Sequence, residues 1–106
     1  MYSVNKNIEA VDLGGGVTRK ILSYSENIMS VELKFEKGAV GALHKHPHEQ
    51  IGYIVSGKLE LLGGDEKVIL ETGDTYYMAP DEEHGVIALE DTVLLDIFTP
   101  MRKDFI

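Results

Sequence analysis

The stretch "GAVGALHKHPHEQIGYIVSG", residues 38–57, holds three of the chain's four histidines within five positions, between glycines and just ahead of an alternating apolar run. Imidazoles at i and i+2 of a strand point to one side, so His44 and His46 can converge on one ion at the ~2.0 Å that a metal–nitrogen bond needs. Gln50 follows with an amide oxygen. Gln50, Gly52 and Ile54 then share one strand face, and Gly52, lacking a side chain, leaves room beside that oxygen for a small molecule. The crowding of imidazoles reads as a metal site on β structure rather than as a run of solvated loop residues, given how readily neutral imidazole binds transition metals.

Working outward, the chain alternates strand and turn. "IMSVELKF" (28–35) places Met29, Val31, Leu33 and Phe35 on one face and Ser30, Glu32 and Lys34 on the other, the period-2 signature of a half-buried strand. "KLELL", "KVIL", "TYYMA", "HGVIAL" and "TVLLDIF" are further short β-rich runs, cut by "SG" at 56, "GGD" at 63, "TGD" at 72 and "PDEE" at 80. Short strands at this spacing imply an all-β sandwich or barrel. At 106 residues the chain closes one core, and it is read as one domain. The glycine triplet at 14–16 turns an N-terminal arm (1–16) into the body, 28–99 forms the barrel core, and 100–106 packs as a tail after a proline-broken turn.

Composition narrows the function. Eighteen acidic against ten basic residues give a net charge of −8, which repels phosphate backbones and anionic lipid, so neither nucleic acid nor membrane is an expected partner. There is no cysteine, hence no thiolate nucleophile and no Cys-type zinc site; any metal is held by N and O ligands. The first residues lack the basic, apolar and cleavage regions of a signal peptide, and no apolar run approaches the ~20 residues of a membrane span. A cytoplasmic location is the expectation.

The spacing Gly38, five residues, His44-x-His46, three residues, Gln50, six residues, Gly57 resembles the first motif of the cupins, with Gln50 where that family usually has Glu. "GDTYYMAPDEEH" resembles their second motif, with Gly73, Asp74, Pro80 and the closing His84 in place. Ala79 and Asp81 stand where proline and glycine are common, and Ala88 where the older consensus has asparagine; all three are turn or support positions. The resemblance, over about residues 28–99, implies a double-stranded β-helix, or jelly roll, with one divalent metal ion held by His44, His46, Gln50 and His84. Nickel, zinc, iron, manganese and cobalt all accept imidazole with an amide oxygen. A neutral amide leaves more of the ion's charge uncompensated than a carboxylate does, which makes a stronger Lewis acid and a poorer iron facial triad. Pro47 breaks the ladder before His48, so His48 is placed at the rim rather than on the ion; Glu49, of opposite parity to Gln50, is a solvated acid.

A second constellation lies near the C-terminus. Asp96 interrupts the apolar strand "VLLDIF", and Leu94, Asp96 and Phe98 share a face, with Arg102 a short turn beyond. Carboxylates are seldom buried without a partner. The residues alone leave a structural Asp96–Arg102 ion pair and an active site equally open. "HPHEQIGY" with "LLDIFTPMRKDF" resembles the small cupins of pectin and alginate breakdown that linearise unsaturated uronates. That resemblance implies that Asp96, Phe98 and Arg102 are the catalytic and substrate-binding residues, that the substrate is a 4,5-unsaturated monouronate, and that the reaction is hemiacetal opening with enol-to-keto tautomerisation. Two rivals share the fold: a metal-dependent dioxygenase, in which Asp96 and Arg102 would have no task, and a non-catalytic sugar-binding or sensing domain. Tyr76 and Tyr77 face opposite sides of one strand and read as a strand-forming pair, and Met29, Met78 and Met101 as packing. Small barrels expose a sheet edge that a partner's strand often covers, and the N-terminal arm is placed to do so across a two-fold axis, so a homodimer is expected.

Overall fold

The computed structural model describes residues 1–106. Ten strands follow in order: β1 (Val11–Gly14), β2 (Val17–Tyr24), β3 (Met29–Phe35), β4 (Val40–His44), β5 (Glu49–Ser56), β6 (Lys58–Leu62), β7 (Val68–Glu71), β8 (Thr75–Met78), β9 (His84–Ala88) and β10 (Thr92–Thr99). They form two antiparallel sheets, ordered β1-β2-β3-β10-β5-β8 and β4-β9-β6-β7. This is the jelly roll expected of the sequence pattern. The period-2 readings of β3, β5 and β10 hold: Met29, Val31 and Phe35, then Gln50, Gly52 and Ile54, then Thr92, Leu94, Asp96 and Phe98 are buried.

The core fills the space between the sheets. Val17, Phe35, Ala39, Ile54, Leu59, Tyr76, Met78, Val86, Ala88 and Leu94 pack together, and a smaller group of Met29, Val31 and Phe98 extends toward Met101 and Phe105 of the tail. The tail leaves β10 through a cis Thr99–Pro100 bond and ends in a 3-10 turn, Lys103–Phe105. The smaller group gives the tail an apolar seat at the mouth of the barrel.

Two strands, β1 and β2, lack a clear alternating pattern in the sequence. β1 and β2 form a hairpin whose connection uses Gly14, Gly15 and Gly16, all at positive φ, so the glycine triplet closes a strand pair at the sheet edge. Asp81, standing where glycine is common in the second motif, takes the left-handed conformation itself at φ 61°, and its N–H donates to the His46 carbonyl at 2.8 Å. Aspartate tolerates this region better than most residues. The turn that delivers His84 is therefore preserved and is tied to the loop that carries His46.

Candidate metal centre and active site

His44 ends β4 and lies opposite His84 at the start of β9, so the pairing of the smaller sheet sets two imidazoles side by side, with ring centroids 4.5 Å apart. His46 does not sit on β4; it lies in the loop that crosses to β5, so loop geometry rather than strand parity aims its ring. The ring still arrives, 5.0 Å from that of His84 and 5.5 Å from that of His44. One ligand atom from each of the three lies within 4.8 Å of the others. Gln50 reaches the cluster from the larger sheet, its Oε1 3.0 Å from His46 Nε2. Two ligands bound ~2.1 Å from one ion would stand about as far apart.

The tautomers of His44 and His84 suit a cation. The His44 Nδ1–H donates to the Ala42 carbonyl and the His84 Nδ1–H to the Glu82 carbonyl, each at 2.9 Å, which turns the Nε2 of both rings toward the cluster. His84 Nε2 is buried with no hydrogen-bond partner. A buried polar atom without a partner is costly, and a metal ion among the three rings supplies one. Burial lowers the basicity of His84 and, with the positive charge of Arg102, takes His46 down to about 4, so both rings are neutral donors at ordinary pH. The donor set fits a divalent transition metal. His48 stands outside the triad: it is half-buried, and its Nε2–H donates to the Met101 carbonyl at 3.2 Å, anchoring the tail.

Asp96 opens into the same hollow, and cross-strand register explains how. Asp96 of β10 pairs with Gly52 of β5, and Gly52 with Tyr76 of β8, so the three form one row across the sheet. The Tyr76 ring lies over Gly52 and its hydroxyl donates to Asp96 Oδ1 at 2.8 Å. The space expected beside Gln50 for a small molecule is therefore taken by tyrosine. The Gln50 amide N–H in turn donates to the Tyr76 hydroxyl at 3.4 Å, so one run of bonds links Gln50, Tyr76 and Asp96. The sequence reads Tyr76 as a strand former; the signal for its role is a register that only the folded sheet reveals. A Cβ at position 52 would overlap the Tyr76 ring, so Gly52→Ala is expected to destabilise the fold by about 1–3 kcal/mol in urea unfolding.

Burial raises the Asp96 carboxyl to about 6, against the opposing pull of the Tyr76 hydrogen bond, the Gln50 amide and the His44 and Arg102 charges. A carboxyl that is raised on folding contributes stability that is complete below its unfolded value near 3.8 and is lost as pH climbs through about 6. The lowered histidines act in the opposite sense, so the contribution is isolated by difference. In metal-free protein, Asp96→Asn and wild type should have nearly equal unfolding free energies at pH 4, while at pH 7.5 the variant is more stable by about 2–3 kcal/mol. A difference that does not change with pH would place no burden on the buried charge.

Arg102 does not pair with Asp96. Its Nε–H and Nη2–H donate to the two carboxylate oxygens of Asp104 at 3.0 and 2.7 Å, and its Cζ lies 5.2 Å from the Phe98 ring centroid. Asp104 is held below the usual carboxylate range by that pairing. Arg102 nevertheless lines the cavity, of about 300 Å³, together with His44, Gln50, Tyr76, His84, Asp96 and Phe98.

A histidine triad inside a jelly roll defines a class of protein: the chain belongs to the cupin family, whose domain model matches residues 31–98. Within that family it is similar to the pectin degradation protein KdgF of Dickeya dadantii (strain 3937), with 43% identity over 107 residues that cover 99% of this chain and 97% of the relative. Among solved structures it superposes on KdgF from Halomonas sp. with a TM-score of 0.95 and 37% identity, over 100% of this chain and 98% of that one. An RmlC-like cupin from Shewanella frigidimarina NCIMB 400 gives a TM-score of 0.94 at 33% identity, over 99% and 95% of the two chains.

Proposed function

We propose that this cupin linearises 4,5-unsaturated monouronates of the kind released from pectin and alginate, opening the hemiacetal and converting the resulting enol to a ketone. The observation that carries the reading is the Asp96–Gly52–Tyr76 row, which turns a carboxyl of raised pKa into the cavity shared with His44, Gln50 and His84. The near full-length similarity to KdgF of Dickeya dadantii, a pectin degradation protein by name, supports the substrate class.

His44, His46, Gln50 and His84 would hold a divalent ion, which would supply Lewis-acid polarisation of substrate oxygens. Asp96 accepts the anomeric hydroxyl proton as the ring carbon–oxygen bond breaks and the former ring oxygen leaves as an enolate, and Asp96 returns that same proton to the enolate carbon as the enolate oxygen becomes the ketone. No atom is gained or lost. The Tyr76 hydroxyl holds Asp96 Oδ1 in place through the exchange. Phe98, buried beside Asp96 on β10, walls one side of the sugar, and Arg102 attracts the uronate carboxylate. Ring opening already proceeds in water, so the ~10²- to 10⁴-fold that one general acid–base group supplies is enough.

Incubating purified, metal-loaded protein with lyase-generated unsaturated galacturonate should accelerate the loss of the conjugated double bond's ultraviolet absorbance. Decay equal to that in buffer overturns the reading. The same proposal takes the protein to be a homodimer. Ile51, Tyr53 and Val55 of β5 and Tyr77 of β8 are exposed on the outer face, and Tyr77 pairs with Ile51, giving an apolar patch suited to a second copy. A dimer mass by light scattering at micromolar protein is expected; a monomer contradicts it.

A further inference from the structure

Inward-facing positions of β2 should carry core residues, and Val17 does. Two residues on, in the same orientation, stands Arg19, paired across the ladder with Leu33 of β3 and lining the cavity with it. Its guanidinium lies 4.2 Å from the centroid of the Phe105 ring, onto which Arg102 also stacks at 4.4 Å. The two arginines differ in what else they touch. Arg102 has one edge of its fork closed and its charge matched by Asp104, while Arg19 makes no ion pair and no side-chain hydrogen bond, and its Nε is buried without a partner.

A guanidinium carries five N–H donors and is always charged, so an unmatched one at a cavity wall, with a buried donor, calls for an anion. Its fork fits a carboxylate in two-pronged fashion. In a chain of net charge −8, this is the unneutralised positive group at the cavity. We infer that Arg19 is the primary receptor for the substrate's carboxylate, held at its working height by stacking on Phe105, with Arg102 contributing its remaining edge. The inference rests on the uronate reading for its substrate class, and it makes Arg19 a specificity-determining residue that separates acid sugars from neutral ones.

Calorimetric titration of galacturonate and galactose into the metal-loaded protein tests the inference apart from turnover. Wild type should bind galacturonate more tightly than galactose. Arg19→Met, which keeps the stem against Phe105 and removes the charge, should weaken galacturonate by about 10- to 100-fold while leaving galactose within about threefold. Arg19→Lys, charged but without the fork, should fall between. With the unsaturated substrate, Arg19→Met should raise KM far more than it lowers kcat. The inference is overturned if wild type does not distinguish the two sugars, if Arg19→Met binds galacturonate as wild type does, or if it loses both sugars equally, which would mark a packing role. A wild type that discriminates but does not accelerate linearisation overturns the reaction and leaves Arg19 as the acid receptor.

Discussion

Asp96→Asn is expected to lower kcat on an unsaturated monouronate by about 10²- to 10⁴-fold, with little change in KM. The substitution preserves shape, and the amide oxygen can still accept from the Tyr76 hydroxyl, so the loss reports proton transfer alone. Tyr76, His46, His84 and Arg102 cannot replace it. Burial and the neighbouring Asp96 charge push the Tyr76 hydroxyl well above its ordinary value, so it remains a donor. His46 and His84 are kept neutral and aim at the cluster, and Arg102 does not lose its proton. Asp96 changes charge near pH 6. Because it must be ionised to accept the first proton, wild-type kcat/KM should fall as pH drops through about 6, and the residual activity of the variant should lack that limb. A variant within threefold of wild type would remove Asp96 from the chemistry.

Much of this arrangement is legible along the chain, and the exceptions share a cause. The inward row Leu94, Asp96 and Phe98 follows from period 2, because β10 is regular over its whole length. The same parity predicts His44 and His46 on one strand face, whereas β4 ends at His44 and the loop brings His46 to the cluster. The roles of Tyr76 and Arg19 are not legible along the chain, for different reasons. The task of Tyr76 depends on β8 pairing with β5 across two intervening strands, and no local pattern sets that register. In "VTRKILSY" the basic residues mask the alternation of β2, so a strand whose inward position is an arginine reads as no strand at all. Glycine at 52 was visible, but whether it makes room for a ligand or for a ring depends on a neighbour 24 residues away in the chain. The Asp96–Arg102 ion pair that the residues alone leave open does not form; Asp104, two residues along the same turn, takes the guanidinium instead.

Nickel or zinc added to chelator-stripped protein should raise its melting temperature by roughly 15–30 °C, since an ion at ~1,000 times its dissociation constant contributes about 4 kcal/mol and each kcal/mol moves a domain of this size by about 4–8 °C. Magnesium should do little, because imidazole suits borderline metals and a hard cation keeps its water. In His84→Ala the shift should vanish, although His44 and His46 remain, since two imidazoles and an amide cannot close the site. A shift below about 3 °C with each of nickel, zinc, manganese, iron and cobalt would sink the metal centre. Gln50→Glu separates affinity from reactivity. Its carboxylate should tighten the ion, because it matches charge that the amide leaves uncompensated. The same new charge stands within reach of the Tyr76 hydroxyl and close to Asp96, so it competes for that donor and pushes Asp96 above about 6. The variant should therefore melt higher than wild type with metal present and turn over more slowly at pH 7, with the acid limb of its pH profile displaced upward; unchanged melting and unchanged rate together would place Gln50 outside the centre.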